Sequence, residues 1–429
     1  MPHYAWVIAF TGTLVLILSH GFGRMSYSVI LGSMKDGLSL SYTQIGLIGT
    51  GNFIGYLCLA VIGGFLAARF GARKVLFISL LVMGISLFLT GLADSFSLAF
   101  LMRLITGMGN GGSYIPMMAL PAAWFAAQKR GLATGIVTLG TGIGLSITGL
   151  ILPYYISLYG HQGWRYAWCL LGVIVFVFSF VCYAFLRDVP AEKGLTMYGG
   201  GRQEQKRGGK FSIFSAWKEV VMEKEIWKLG CVYFMNGFSY IIYLTFIIAY
   251  LTKEIGLTPK VAGGIFAVLG FFAIFCGVIW GTISDVIGRR YASMFAYIVL
   301  GLSSLLAVCW KTPAGLYVSA ILFGLTAFAV PVIMAAASGD AVGGRLAPAA
   351  LGFITLFFGI GQALGPAVAG WLRDATGTFT GAFILSACVS VVGAGASLML
   401  RKKEAYNPEL AISQGTADSA AVAVQEAQG

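Results

Sequence analysis

Charge is scarce in this chain. Of its 429 residues only 10% are Asp, Glu, Lys or Arg, against about 25% in soluble globular chains, and that excludes a soluble fold. Carboxylates are the scarcest part: 16 Asp and Glu stand against 28 Lys and Arg, with 3 His. The cysteines (Cys58, Cys169, Cys182, Cys231, Cys276, Cys309, Cys388) lie singly in apolar runs. No two have metal or redox spacing, so they read as small packing residues and no metal is expected. A phosphate loop is missing too. The glycines of 107–112 sit inside an apolar run with no Walker lysine, so ATP is not expected to drive this protein. No nucleophile–base pair offers itself either; neither enzyme activity nor a cofactor is expected.

Apolar residues fill the space that charge leaves. They make up 58% of the chain, and the mean hydropathy is +0.86. A bilayer-spanning helix needs about 20 apolar residues. Runs of that kind recur twelve times, near 5–34, 44–68, 75–96, 98–126, 132–158, 166–187, 228–251, 262–284, 292–310, 314–338, 348–372 and 379–400. The short alternating segments of a membrane barrel are absent. The fold class expected is therefore all-α and integral to the membrane, with twelve transmembrane helices.

A net charge of +12 would suit a nucleic-acid partner, but its distribution argues against one. With the N-terminus in the cytoplasm, 20 of the 28 cations fall in cytoplasmic segments, nine of them between 187 and 228. Lys35, Arg165, Lys253, Lys260, Lys311 and Arg373 fall outside, and Arg24 and Arg103 stay in the membrane. This is the positive-inside pattern, and it puts both termini in the cytoplasm. The basic excess reports topology. The N-terminus lacks a basic n-region and a cleavage site, so its apolar run is expected to remain as the first helix.

The polar stretch 188–225 is too hydrophilic to span. It divides the chain into an expected six-helix bundle over 1–188, a cytoplasmic connector over 189–225 and a second six-helix bundle over 226–401. Within the connector, 211–221 has the pattern of an amphipathic surface helix or an ordinary linker helix. The tail, 402–429, is Ala-, Gln- and Ser-rich and is expected to be disordered.

The most informative stretch is SHGFGRMSYSVILGS, 19–33, because it places Arg24 deep in an apolar run. A cation at the middle of a membrane helix costs roughly 2.5–3.5 kcal/mol on insertion scales, so it normally faces a wet cavity or a partner. At α-helical spacing His20, Arg24 and Tyr27 share one face. Other polar side chains in apolar runs are Asn52 and Tyr56, then Arg103, Asn110 and Tyr114, then Asn236, Tyr240 and Tyr243, then Thr355 and Gln362. All sixteen carboxylates lie in loops, tails or helix ends, so the interior holds two permanent cations and no anion. The guanidinium fork pairs with a carboxylate through two parallel bonds, so a small organic anion could be the missing partner. Arg24 is then the primary clamp, with the tyrosines and amides orienting the anion. Structural readings stand beside this. Arg24 could brace backbone carbonyls, Arg103 could snorkel to the interface from the outer end of its helix, and each Asn or Tyr could be a helix–helix contact.

The two halves repeat each other. His20-Gly21-Phe22 with Tyr27 matches Asn236-Gly237-Phe238 with Tyr243 at an offset of 216 residues. Gly64 through Arg69, Gly71, Arg73 and Lys74 matches Gly281 through Asp285, Gly288, Arg289 and Arg290 at an offset of 217. Two features at nearly one offset indicate homologous halves of the same orientation.

With these segments the chain resembles the major facilitator superfamily. The second pair looks like its loop signature, Arg103 through Gly107 and Gly109 like its fourth-helix signature, and Gly361 through Gly365-Pro366 and Gly370 like its Gly-Pro helix motif. The segments 119–135, 163–165 and 365–377 resemble bacterial monocarboxylate and oxalate–formate carriers. There are departures. Ala68 stands where the loop signature has Asp, Val286 where it has Arg, and 262–284 lacks the deep Arg common to monocarboxylate carriers.

The resemblance implies two pseudo-symmetric six-helix bundles in the inner membrane and a substrate site at the midplane between them. It also implies gating residues at Gly64, Arg69, Gly71, Arg73, Asp285, Gly288 and Arg290, with the charge latch left to Asp285. Transport of a monocarboxylate by a monomer is the function implied. Its coupling is open: a proton shared with His20, anion exchange or uniport. A multidrug exporter, suggested by 14% aromatic residues, and a transporter-like sensor remain as alternatives.

Overall fold

The computed structural model describes residues 3–200 and 219–401. Among them the secondary structure is helical, apart from one isolated bridge between Phe125 and Tyr198. In a bilayer each peptide group must find its partner within the segment, which leaves the helix as the available form for these apolar runs.

The crossings are α1 (Ala5–Gly37), α2 (Tyr42–Phe70), α3 (Ala72–Gly91), α4 (Phe96–Ala119), α5 (Ala127–Leu158) and α6 (Gly163–Phe185). After the connector come α7 (Lys224–Lys253), α8 (Pro259–Ile287), α9 (Arg289–Cys309), α10 (Pro313–Val342), α11 (Ala349–Thr376) and α12 (Thr380–Ser397). Eleven of these are long and apolar enough to cross a membrane by length and composition. The twelfth is α4, whose apolar character is diluted by Arg103, Asn110 and a run of glycines. The amphipathic segment expected at 211–221 lies mostly, and the tail entirely, outside the described residues.

Two details differ from the expected helices. In α1 the backbone over Ile17–Met25 is π-helical, with α-helix on either side. Such i→i+5 turns inside α-helices occur often at functional sites. Between α10 and α11, where a loop is expected, the backbone stays helical from Ala329 to Thr376.

The repeated loop motifs fold alike. Gly71 ends α2 at φ 89° and Gly288 ends α8 at φ 86°, a left-handed conformation that needs glycine. Helix starts are capped by side chains where the sequence supplies them: Ser41 with Gln44 forms a capping box on α2, and Thr258 caps α8.

The halves meet along α2–α11, α5–α8 and α1–α7. The bonds across this seam crowd toward the end of the molecule opposite the termini. There Lys253 reaches Asp36 at 2.6 Å, Thr50 donates to the Ala363 carbonyl, and Asp374 binds the start of α2. Glycine allows backbone to approach backbone here: a Cβ on Gly46 would lie 2.2 Å from the Pro366 carbonyl oxygen. At the terminus end, the polar contacts of Arg73 and Arg289 are made within their own half.

Candidate functional site

Arg24 sits at the centre of the seam, 7% exposed. Its Nη2 donates to the Tyr240 hydroxyl across the seam at 3.2 Å, and its Nε has no partner. The guanidinium carbon lies 4.6 Å from the ring centre of Phe53 and 5.3 Å from that of Tyr56, both on α2. Rings on α2 thus offer the cation their negative faces. Gln362 of α11 donates its amide to the same Tyr240 hydroxyl, while its carbonyl oxygen stays unpartnered. One phenol therefore joins α1, α7 and α11.

Further aromatics close around this centre. His20 packs against Tyr114 with ring centres 4.5 Å apart, and its Nδ1 is buried without a partner. Tyr114 faces Tyr56 at 6.4 Å. Phe358 stacks on Tyr233 at 4.3 Å and lies parallel to Tyr240 at 5.8 Å. Tyr233 in turn lies near Tyr114, Tyr56, Tyr240 and Arg24. Asn236, one turn from both Tyr233 and Tyr240, is fully buried with both amide atoms unpartnered. Polar atoms held in oil without partners are costly, and in this cluster they belong to Arg24, His20, Asn236 and Gln362.

Arg24, His20, Tyr56, Tyr114, Tyr240 and Gln362 are thus brought together. Other candidates are engaged elsewhere. Tyr27 donates its hydroxyl to the Ile45 carbonyl at 2.6 Å and lies under Arg103. The π-helical turn before it alters the register that α-helical spacing assumes, so Tyr27 does not join His20 beside the tyrosine cluster. Asn52 donates to the Arg103 carbonyl and Asn110 to the Ser19 carbonyl, each tying α4 to a neighbour. Tyr243 points into the second half, where its hydroxyl meets Ser319 at 2.7 Å and its ring stacks on Phe323. Thr355 bonds back to Leu351 of its own helix.

Arg103 does not snorkel. It is 1% exposed, donates to the Gly23 carbonyl at 2.8 Å and lies over the rings of Tyr27 and Trp168. The bond to the Gly23 carbonyl braces the π-helical turn of α1.

The expected gating residues lie at the terminus end of the molecule, where α2 and α8 finish. Asp188 receives the Arg73 amide at 2.8 Å, taking the role next to Gly71 that Ala68 cannot fill. Arg73 lies over Tyr183 and donates to its carbonyl. Asp285 pairs with Arg289, which also holds Asp340. Arg69 lies over Phe70, Arg290 over Tyr291, and Gly64 packs on Ile115. Among the described residues, no ion pair reaches Arg24 or Arg103.

Three members of the cluster were not anticipated: Phe53, Tyr233 and Phe358. Tyr233 was within reach, since Tyr233, Asn236 and Tyr240 follow i, i+3, i+7 spacing. The two phenylalanines carry no polar mark in an apolar helix, and only packing singles them out.

The family model of the Major Facilitator Superfamily matches residues 13–276 and 229–424. The chain belongs to this superfamily. Its relatives include a protein named "Probable sulfoacetate transporter" of Cupriavidus necator, 27% identical over 88% of this chain and 89% of that one. The hexuronate transporter of Bacillus subtilis is 25% identical over 86% of this chain and 88% of its own. Among solved structures, an inward-facing bacterial homologue of the human lysosomal transporter Spinster superposes with a TM-score of 0.74. That match covers 93% of this chain and 97% of the other at 17% identity, and it shows the shared superfamily fold.

Proposed function

We propose that this protein carries small organic anions across the cytoplasmic membrane by alternating access, with both termini in the cytoplasm. The observation that carries this reading is Arg24: a buried guanidinium on the seam, bonded to a phenol, with a free Nε and no carboxylate partner among the described residues. A carboxylate cargo would complete its fork, and the hydroxyls of Tyr56, Tyr114, Tyr233 and Tyr240 and the amide of Gln362 would take the remaining polar groups. The relatives named for sulfoacetate and hexuronate transport support an acidic cargo.

One arginine in the cluster favours a cargo with a single acidic group, a monocarboxylate. Because Arg24 and Tyr240 belong to different halves, cargo binding at that contact would couple directly to the seam and hence to rocking of the halves. His20, next to Tyr114, is the titratable group that would share a proton with the cargo. Anion exchange is the competing form of coupling. The protein is proposed to act as a monomer, without a cofactor.

Uptake of radiolabelled monocarboxylates into vesicles containing purified protein tests this. Arg24→Ala is expected to insert normally and lose uptake. Uptake equal to the parent's would remove the clamp and with it the acidic cargo. Counterflow that persists without a pH gradient would assign exchange rather than proton symport.

A further inference from the structure

Beyond the tyrosine cluster, Arg24 has a second side. A cavity of about 20 Å³ lies there, lined by Arg24, Tyr27, Asn52, Arg103 and Thr245 among others. Its lining comes from positions 25–28 of α1, 49–53 of α2 and 241–245 of α7. The cavity therefore lies on the side of Arg24 away from the termini, whereas His20, Tyr56, Tyr114 and Tyr233 lie on the other side. Arg24 separates two compartments.

Both guanidinium groups that line the cavity are more than nine-tenths buried, and each has a buried Nε with no partner. They repel one another, and no carboxylate among the described residues pairs with either. Buried charges are normally paired, and two like charges sharing a small cavity need an ion of the opposite sign. Size limits what that ion can be. A cavity needs roughly 10–15 Å³ to admit one water, so this one takes a particle of about that size and excludes a carboxylate with its carbon skeleton.

We infer that the space between Arg24 and Arg103 is a binding site for a monatomic inorganic anion, a halide such as chloride. The halide answers Arg103 and half-neutralises the pair, which leaves one positive charge on the cluster side for the cargo. That last step rests on the proposed function; the halide site itself does not. With one resident anion and one monoanionic cargo, the two interior arginines are balanced.

Purified protein, free of organic acids, can be titrated with sodium chloride, bromide or sulfate at matched ionic strength while its thermal unfolding is followed. Chloride and bromide are expected to raise the transition saturably, by about 2 °C or more, with no such rise in sulfate. Arg103→Gln is expected to abolish the halide response and to keep a cooperative transition in sulfate. Crystals grown in bromide give a measurement that needs no variant: an anomalous peak is expected between the two guanidinium groups. Equal responses to all three salts, or a bromide map without that peak, would overturn the site. A peak together with normal uptake by Arg24→Ala would keep the halide site and sink the cargo reading alone.

Discussion

Asp374 of α11 caps the first turn of α2 across the seam. Its Oδ2 accepts from the Thr43 amide and the Thr43 hydroxyl, both at 2.7 Å, and its Oδ1 from the Tyr42 amide at 3.0 Å. Free amides and the positive end of the helix dipole favour a carboxylate at this position. The halves are thus fastened at the end opposite the termini by a charge from one half on a helix start of the other.

Asp374→Asn removes the charge and one acceptor while keeping the shape. It is expected to raise the population open at that end. In a Thr50→Cys background, where residue 50 lies buried on the seam, a membrane-impermeant maleimide should then label several times faster than in the parent. Equal labelling rates would mean that the cap does not hold this end shut.

Two tyrosines one turn apart separate site from scaffold. Tyr240→Phe deletes the hydroxyl shared by Arg24 and Gln362, and uptake should fall by at least about tenfold, the equivalent of one charge-assisted hydrogen bond. Tyr243→Phe loses only the bond to Ser319; it should cost about 1 kcal/mol of stability and leave uptake within about twofold. Similar transport losses in both would refute the division.

Arg24→Lys tests geometry apart from charge. An ammonium keeps the cation but cannot offer the two parallel donors of the fork. Half-saturation for a carboxylate cargo is expected to rise on the order of tenfold, with protein levels unchanged. An unaltered half-saturation would show that a point charge suffices.

Packing of α2 on α4 depends on glycines that face backbone. A Cβ at Gly55 would lie 1.9 Å from the Leu104 carbonyl oxygen, and one at Gly107 would lie 1.9 Å from that of Asn52. Gly55→Ala should destabilise by about 1–3 kcal/mol, the usual cost of overpacking. Gly135→Ala, with nothing within 4 Å of the added methyl, should be neutral or slightly stabilising. A scanning thermal assay of the two variants distinguishes them, and equal midpoints would contradict the contact.

Hydropathy and charge asymmetry suffice to infer a membrane protein of twelve helices, because a bilayer leaves an apolar run no other way to pair its amides. The internal repeat was equally legible, since Gly71 and Gly288 take the same left-handed turn wherever the helices around them lie. Arg24 was conspicuous for an energetic reason, a charge in oil. Sequence alone could not say that Arg103 donates to the Gly23 carbonyl, that Tyr243 turns away to Ser319, or that Asp188 serves the Gly71 loop from the segment after α6. Those depend on which helix lies beside which. The π-helical turn over Ile17–Met25 likewise changes where each side chain of α1 points. A polar residue in a membrane helix announces its cost in the sequence; its partner is chosen by packing.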